Sequence, residues 1–110
     1  MIVEERNYLV KPGQAKRYLE LWNEHGRDVQ TKVLGDLVGV FTAETGDLNT
    51  IVYIWRFSSF EERERRRAAL MQNEQFAEFR KLVRDLMVSQ KNRLLKQHGC
   101  DSGECNGSRL

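Results

Sequence analysis

The segment from Glu61 to Arg67, EERERRR, holds the densest run of ionisable side chains in the sequence. Glu61 with Arg65, and Glu62 with Arg66, have the i,i+4 spacing at which opposite charges pair on a helix. Such pairs contribute only about 0.2–0.5 kcal/mol each. These four side chains therefore predict a solvated helix face and no chemistry of their own.

Arg63 and Arg67 are different, because they are four residues apart and carry the same charge, so they repel each other. They also lie on the helix side that carries Phe60, Leu70 and Met71. Two guanidinium groups beside an apolar stripe require an anionic partner. That partner is either a carboxylate of the protein, including one across a subunit interface, or the carboxylate or phosphate of a ligand. The structural ion pair is favoured, since buried pairs are more often architectural than catalytic.

Other candidate groups do not assemble into a catalytic set. His25 falls in the apolar stripe of the first helix, where it is either a proton shuttle or, more commonly, a core histidine. Tyr53 and Trp55 could line a pocket, although aromatic residues on strands usually belong to the core. The sequence has no Gly-rich phosphate loop and no close carboxylate pair in an apolar setting. It therefore predicts no cofactor.

The two cysteines, Cys100 and Cys105, lie in the C-terminal sequence HGCDSGECNGSRL. With His98 they offer three ligands, whereas a closed zinc site requires four. We therefore expect no metal, a folded domain over residues 1–96 and a flexible tail over residues 97–110.

The elements that would position these side chains can be recognised from their periodicity. The 110 residues fit one domain. Ile2 to Val10 is rich in β-branched and aromatic residues and precedes the turn Pro12-Gly13, which predicts a first strand. From Gln14 an amphipathic helix is predicted by a stripe at three- and four-residue steps: Ala15, Tyr18, Leu19, Trp22, His25 and Val29.

A hairpin follows, with strands Leu37–Glu44 and Thr50–Phe57 joined by a turn at residues 45–47. One face of the second of these strands carries Ile51, Tyr53, Trp55 and Phe57, and the other carries Val52, Ile54 and Arg56. Both faces are largely apolar, so both should be covered. The helices of one subunit cover one face, so the sequence predicts that a second subunit covers the other.

A long helical region is predicted from Ser58 to about Val88, with Ser58 and Ser59 as N-caps. The side of the helix that carries its apolar residues changes part-way along this region. The change predicts a break at residues 72–75, with Asn73 as a cap. Ser89–Lys96 is predicted to be a weak edge strand. The order β-α-β-β-α-β is that of a ferredoxin-like α+β fold, an antiparallel sheet with helices on one face.

The run from Gly39 to Leu70 resembles the NIPSNAP family. The positions that fit its pattern are Gly39, Gly46, Leu48, Asn49, Trp55, Phe57, Ser59, Arg63, Arg66, Arg67 and Leu70. The opening RNYLVKPG, residues 6–13, also resembles the family's first strand and turn. The resemblance implies a ferredoxin-like subunit that pairs with a second copy into a dimeric α+β barrel.

The resemblance does not imply a particular reaction. Tyr53 stands where a histidine is frequent in the family, which removes a titratable group from the expected cleft. Residues 72–75 also lack the Asp-Pro often found at the helix break. We therefore expect a homodimeric protein that binds a small anionic or aromatic ligand or another partner, with a candidate cleft formed by Tyr8, Asn49, Tyr53, Trp55, Arg63 and Arg67.

The alternative is a cofactor-free enzyme of the dimeric barrel kind, a monooxygenase or isomerase in which Asn49, Trp55 and Arg63 or Arg67 orient an acidic or phenolic substrate. Whether the cleft at Tyr8, Trp55 and Arg67 is open or filled by side chains distinguishes the enzyme from the binding protein. The net charge of +2 argues against a nucleic-acid partner. No apolar run reaches the ~20 residues that span a bilayer, and the glutamates of MIVEERNYLV do not suit a secretory signal. We therefore expect a cytoplasmic protein without a membrane partner.

Overall fold

Four strands and four α-helices make up the part of the chain that the computed structural model describes, residues 1–100. A π-helical turn at Trp22–Gly26 joins the first two helices, and a 3₁₀ turn at Arg84–Leu86 precedes the last strand. The elements in chain order are β1 (Ile2–Val10), α1 (Ala15–Leu21), α2 (Arg27–Leu34), β2 (Asp36–Thr42), β3 (Thr50–Phe57), α3 (Phe60–Met71), α4 (Glu74–Val83) and β4 (Met87–Lys96). Most of the predicted tail, with Cys105, lies outside the described residues.

The strands form one antiparallel sheet in the order β2-β3-β1-β4. This is the ferredoxin-like α+β fold that the element order predicts. The bounds of β1 and β3 agree with the prediction, whereas β2 starts and ends slightly earlier than predicted. The weak strand predicted over Ser89–Lys96 begins at Met87 and lies, as predicted, at an edge of the sheet.

One face of the sheet packs against the helices and holds the core. In β3, Ile51, Tyr53, Trp55 and Phe57 have at most 1% of their surface exposed. The register pairs Glu4 with Trp55 and Tyr8 with Ile51, so alternate residues of β1 lie on the same covered face. The alternation along β1 therefore determines which of its charged residues lie on the core face.

No helix of residues 1–100 lies against the opposite face of the sheet, and we refer to this face as the open face. Its strand residues alternate with the core residues. Each of its apolar members is partly or largely exposed in this chain, namely Val3, Leu9, Phe41, Val52, Ile54 and Leu95. Both faces of β3 are thus largely apolar, as predicted. The helices cover one of these faces and leave the other uncovered.

The expectation that His25 lies in the apolar stripe of the first helix is wrong. The π-helical turn at Trp22–Gly26 has a longer repeat than an α-helix and therefore shifts the helical phase. Gly26 becomes the buried residue, and a Cβ atom there would lie 2.9 Å from the ring of Phe79. The side chain of His25 is 48% exposed and lies 3.2 Å from Glu24.

The predicted break between the third and fourth helices is confirmed. The Ser59 hydroxyl accepts a hydrogen bond from the Glu62 N–H at 3.1 Å and caps α3. The Asn73 side chain accepts one from the Phe76 N–H at 2.9 Å and caps α4. The change of direction allows Leu70 of α3 and Phe79 of α4 both to be buried. The helical region ends earlier than the predicted Val88, because β4 starts at Met87.

The longest helix among residues 1–100 has 12 residues. A helix that crosses a bilayer needs about 20 apolar residues. None of the helices in this part of the chain has the length and apolar composition for a membrane span.

Candidate functional site

Glu4 is a fully buried carboxylate on the covered face of β1. Its Oε2 atom accepts hydrogen bonds from Nε and Nη2 of Arg63, at 3.1 and 2.5 Å. Its Oε1 atom accepts from Nε of Arg67 at 2.9 Å, and also from Nη2 of the same residue. The anionic partner that the repulsion between the two arginines requires is therefore one carboxylate of the same chain.

A third arginine, Arg6, completes this group. Its Nη1 atom donates to Glu4 at 3.2 Å, and its Nε atom donates to the Tyr8 hydroxyl at 2.8 Å. Its Nη2 atom donates to Gln90 of β4 at 3.1 Å. Three guanidinium groups thus surround one carboxylate, which leaves the cluster with surplus positive charge.

The titration behaviour of the cluster reflects this arrangement. Burial acts to raise the pKa of Glu4, but Arg67, Arg63 and Arg6 outweigh it and hold that pKa below its ordinary value. Burial and the charge of Arg6 lower the pKa of Arg67, against the opposing effect of Glu4. Arg67 therefore sits in an environment that a further negative charge would stabilise.

A cavity of about 420 Å³ lies beside this cluster, between the covered face of the sheet and the helices. We call it the arginine cavity, because all of the charged side chains that line it are arginines: Arg6, Arg67, Arg80 and Arg84. Within the part of the chain that the structure describes, no carboxylate lines it. Its apolar wall consists of Met71, Phe76, Phe79, Val83 and Met87, and its uncharged polar groups belong to Tyr8, Tyr18, Gln30, Tyr53 and Gln90. The lining suits an anion with an apolar body.

The side chains that line the cavity differ in exposure: two of its arginines are exposed, whereas several of its uncharged polar residues are buried. Arg80 and Arg84 are exposed, whereas Gln30 and Tyr53 have 3% and 1% of their surface exposed. The Gln30 Oε1 atom accepts a hydrogen bond from the Trp22 indole N–H at 2.7 Å, so the side-chain group it can still offer is its NH₂. The Tyr53 hydroxyl is buried and has no hydrogen-bond partner among residues 1–100.

Three of the six residues predicted for the cleft, Tyr8, Tyr53 and Arg67, line the arginine cavity. Trp55 does not line it and lies fully buried in the core. Asn49 is on the β2–β3 connection, where its side chain accepts from the Gly13 N–H at 3.2 Å and its carbonyl accepts from the Val10 N–H at 2.9 Å. Arg63 binds Glu4 without lining the cavity.

Five residues of the site were not predicted from the sequence: Glu4, Arg6, Gln30, Arg80 and Arg84. Glu4, Arg6, Tyr8 and Val10 alternate along β1, so a charged pair on the core face could have been recognised from the period of two. Arg80 and Arg84 repeat the four-residue spacing of Arg63 and Arg67. Gln30 has no comparable signal in the sequence.

The arginine cavity lacks the usual catalytic groups. Among residues 1–100, neither a histidine nor a serine, a cysteine or an acidic residue lines it. Burial raises the pKa of Tyr18 and of Tyr53, so both phenols stay neutral and serve as hydrogen-bonding groups. Within residues 1–100 no group of three or more His, Cys, Asp or Glu side chains is placed to hold a metal ion.

Known proteins resemble this chain in sequence and in fold. The sequence profile of the NIPSNAP family matches residues 3–99. A NipSnap homolog of Dictyostelium discoideum is 37% identical over 70 residues, which are 64% of this chain and only 30% of that protein. The matched segment thus spans less than a third of that relative.

Solved structures share the fold over most of their length. The Atu4242 protein of Agrobacterium tumefaciens, a NIPSNAP family protein with unknown function, superposes with a TM-score of 0.85 at 39% identity, covering 88% of this chain and 93% of that one. A putative antibiotic biosynthesis monooxygenase from Nitrosomonas europaea superposes with a TM-score of 0.63 at 13% identity, covering 86% of this chain and 96% of that one. At that identity the likeness shows the fold alone.

Proposed function

The chain belongs to the NIPSNAP family, and we propose that it acts as a homodimeric binding protein for a small organic anion. The observation that carries the proposal is the arginine cavity, whose charged lining residues are all arginines. The ligand would place a carboxylate or a similar anionic group among these arginines and an apolar body against Phe76, Phe79 and Met87.

The charge balance supports an anion rather than a neutral ligand. The negative charge of Glu4 is shared by Arg6, Arg63 and Arg67, and Glu64 adds a second, exposed negative charge at Arg63. The hydrogen bonds to Glu4 use Nε and Nη2 of Arg67, so its Nη1 group is not needed for that pair. Arg80 and Arg84 add two exposed cations to the lining. A planar fork of N–H donors matches a carboxylate in two-point contact.

The experiment compares benzoate with benzamide, its neutral counterpart of nearly the same shape, by calorimetric titration at millimolar concentration. Benzoate should bind and benzamide should bind at least about tenfold more weakly, as expected for the loss of one charge-assisted contact. Arg80→Ala should weaken benzoate binding. Lys81→Ala, which removes an exposed cation one residue away and outside the cavity, should not. Equal affinity for the two compounds would rule out the anion site.

The open face supports the second half of the proposal, the homodimer. Apolar residues on all four of its strands remain partly or largely exposed, including Phe41 at 53% and Leu95 at 37%. Contiguous apolar surface of this kind on a soluble domain usually marks an interface. A second copy that presents the same face would form a self-complementary contact about a two-fold axis.

The enzymatic alternative, a monooxygenase- or isomerase-like activity on an acidic or phenolic substrate, receives less support. Burial keeps the Tyr18 and Tyr53 phenols of the cavity neutral, and its arginines do not serve as bases. Prolonged incubation of the protein with 4-hydroxybenzoate in air should return the compound unchanged in a proton NMR spectrum. Its conversion to another product would favour the enzyme over the binding protein.

A further inference from the structure

Two buried polar groups of the arginine cavity, the Tyr53 hydroxyl and the Gln30 amide, are not accounted for by the binding of an anion. The Tyr53 hydroxyl has no hydrogen-bond partner among residues 1–100, although the residue is 99% buried, with 1% of its surface exposed. Leaving such a group unpaired destabilises a protein. Tyr53 is a lining residue, so a bound molecule is a source of the missing partner.

Gln30 adds a second group of compatible chemistry. Its oxygen accepts from the Trp22 indole, which fixes the orientation of the amide. The NH₂ group remains for the ligand, and NH₂ only donates. The Tyr53 hydroxyl can donate as well as accept. One ligand oxygen, of a hydroxyl or a carbonyl, is therefore the partner that suits both.

Charged, polar and apolar groups line the same cavity. Arg80 and Arg84 are exposed, whereas Tyr53 and Gln30 are buried. Aromatic and aliphatic side chains form the apolar part of the wall. A molecule that contacts both the arginines and the buried polar groups carries an anionic group and a second oxygen on an apolar body.

Resting on the anion site proposed above, we infer that the ligand class is a hydroxy- or oxo-substituted organic acid, whose second oxygen is bound by Tyr53 and Gln30. Tyr53 is then a residue that determines specificity. A site built to hydrogen-bond a substrate oxygen discriminates strongly against an analogue that lacks it, because the buried groups of the site are left unpaired. An apolar acid of the same shape would bind more weakly for that reason.

The test is a cycle of two probes and two proteins. 4-Hydroxybenzoate and benzoate share the carboxylate and the ring and differ only in the second oxygen. Wild type should bind 4-hydroxybenzoate about tenfold or more tightly than benzoate. Tyr53→Phe should reduce that preference to below about threefold, by weakening 4-hydroxybenzoate and leaving benzoate unchanged. The substitution removes only a hydroxyl that has no partner in residues 1–100, so the variant should fold.

The outcomes separate the two proposals. If wild type binds both acids equally, or if Tyr53→Phe keeps the full preference, the role of Tyr53 is wrong and the anion site stands. If wild type binds neither acid, the anion site and this inference both fall. If Tyr53→Phe does not fold, the test uses wild type alone. Wild type should then bind both 4-hydroxybenzoate and 4-formylbenzoate more tightly than benzoate, since an oxo group should restore the preference as a hydroxyl does. A wild type without these two preferences would contradict the role of Tyr53.

Discussion

The carboxylate of Glu4 in β1 and the guanidinium of Arg67 in α3 are joined by two hydrogen bonds through the same oxygen, Oε1. Fifty-nine and sixty-three residues separate Glu4 from its two partners in α3, Arg63 and Arg67. One buried carboxylate thus links the first strand to the third helix. It also fixes the guanidinium group of Arg67 at the wall of the arginine cavity.

Replacing Glu4 by Gln should destabilise the fold strongly. The amide keeps the size of the side chain but removes the buried negative charge that three arginines share. Loss of one partner from a buried ion pair costs about 3–5 kcal/mol. Urea denaturation would measure this difference against wild type. A change below about 1 kcal/mol, the size expected for an exposed pair, would contradict the role assigned to Glu4.

Arg67→Met should destabilise the protein less than Glu4→Gln does, because Arg63 and Arg6 still pair with the carboxylate. A lost charge-assisted hydrogen bond predicts about 1.5–3 kcal/mol. Arg65→Met is the matched control, since Arg65 is an exposed arginine of the same helix and should change stability by less than about 0.5 kcal/mol. A more stable Arg67→Met protein would show that the repulsion between the arginines outweighs the pair.

The lowered pKa of Glu4 predicts an acid-sensitive contribution to stability. In the unfolded chain this carboxyl titrates near its ordinary 4.5, and in the folded protein it titrates lower. The contribution is therefore complete above pH 4.5 and is lost as pH falls through the folded pKa. The carboxyl ¹³C resonance of Glu4 should titrate with a midpoint below 4.5, and the unfolding free energy of wild type should fall over the same range. A midpoint above 4.5 would show that burial, and not the arginines, dominates.

Much of the fold could be predicted because its signals are local. The alternation of Thr50–Phe57 and the caps at Ser59 and Asn73 depend on neighbouring residues, so periodicity and composition suffice. The phase shift at Trp22–Gly26 could not be predicted in this way. It depends on Gly26 packing against Phe79, a contact between two helices that are distant in sequence.

The candidate site was predictable only in part, for a related reason. The repulsion between Arg63 and Arg67 indicated a missing anion, which is a local argument. That the anion is Glu4 depends on the pairing of β1 with β3 and on the packing of α3 across the sheet. Tyr53 and Trp55 of β3 were both predicted to line the cleft, and only the packing of the helices separates Tyr53 at the cavity from Trp55 in the core.

The homodimer predicts a variant that is folded but monomeric. Ile54 lies on the open face and pairs in register with Glu5 of β1, so Ile54→Lys should find an opposite charge within its own subunit. The lysine would nevertheless place a charge in the proposed interface. Light scattering at micromolar concentration should give the dimer mass for wild type and the monomer mass for the variant. Leu82→Lys, on an exposed position of α4, should remain dimeric; a monomeric wild type would overturn the proposed interface.

The most direct test of the anion site is a titration of wild-type protein with benzoate, followed through the Nε–Hε resonances of its arginine side chains. We expect saturable shifts for the arginines that line the cavity, Arg6, Arg67, Arg80 and Arg84, with no shift for the exposed Arg65. Benzamide at the same concentration should leave all of them unchanged. Shifts that are equal for the two compounds, or that spread over the surface arginines without saturating, would contradict an anion site in this cavity.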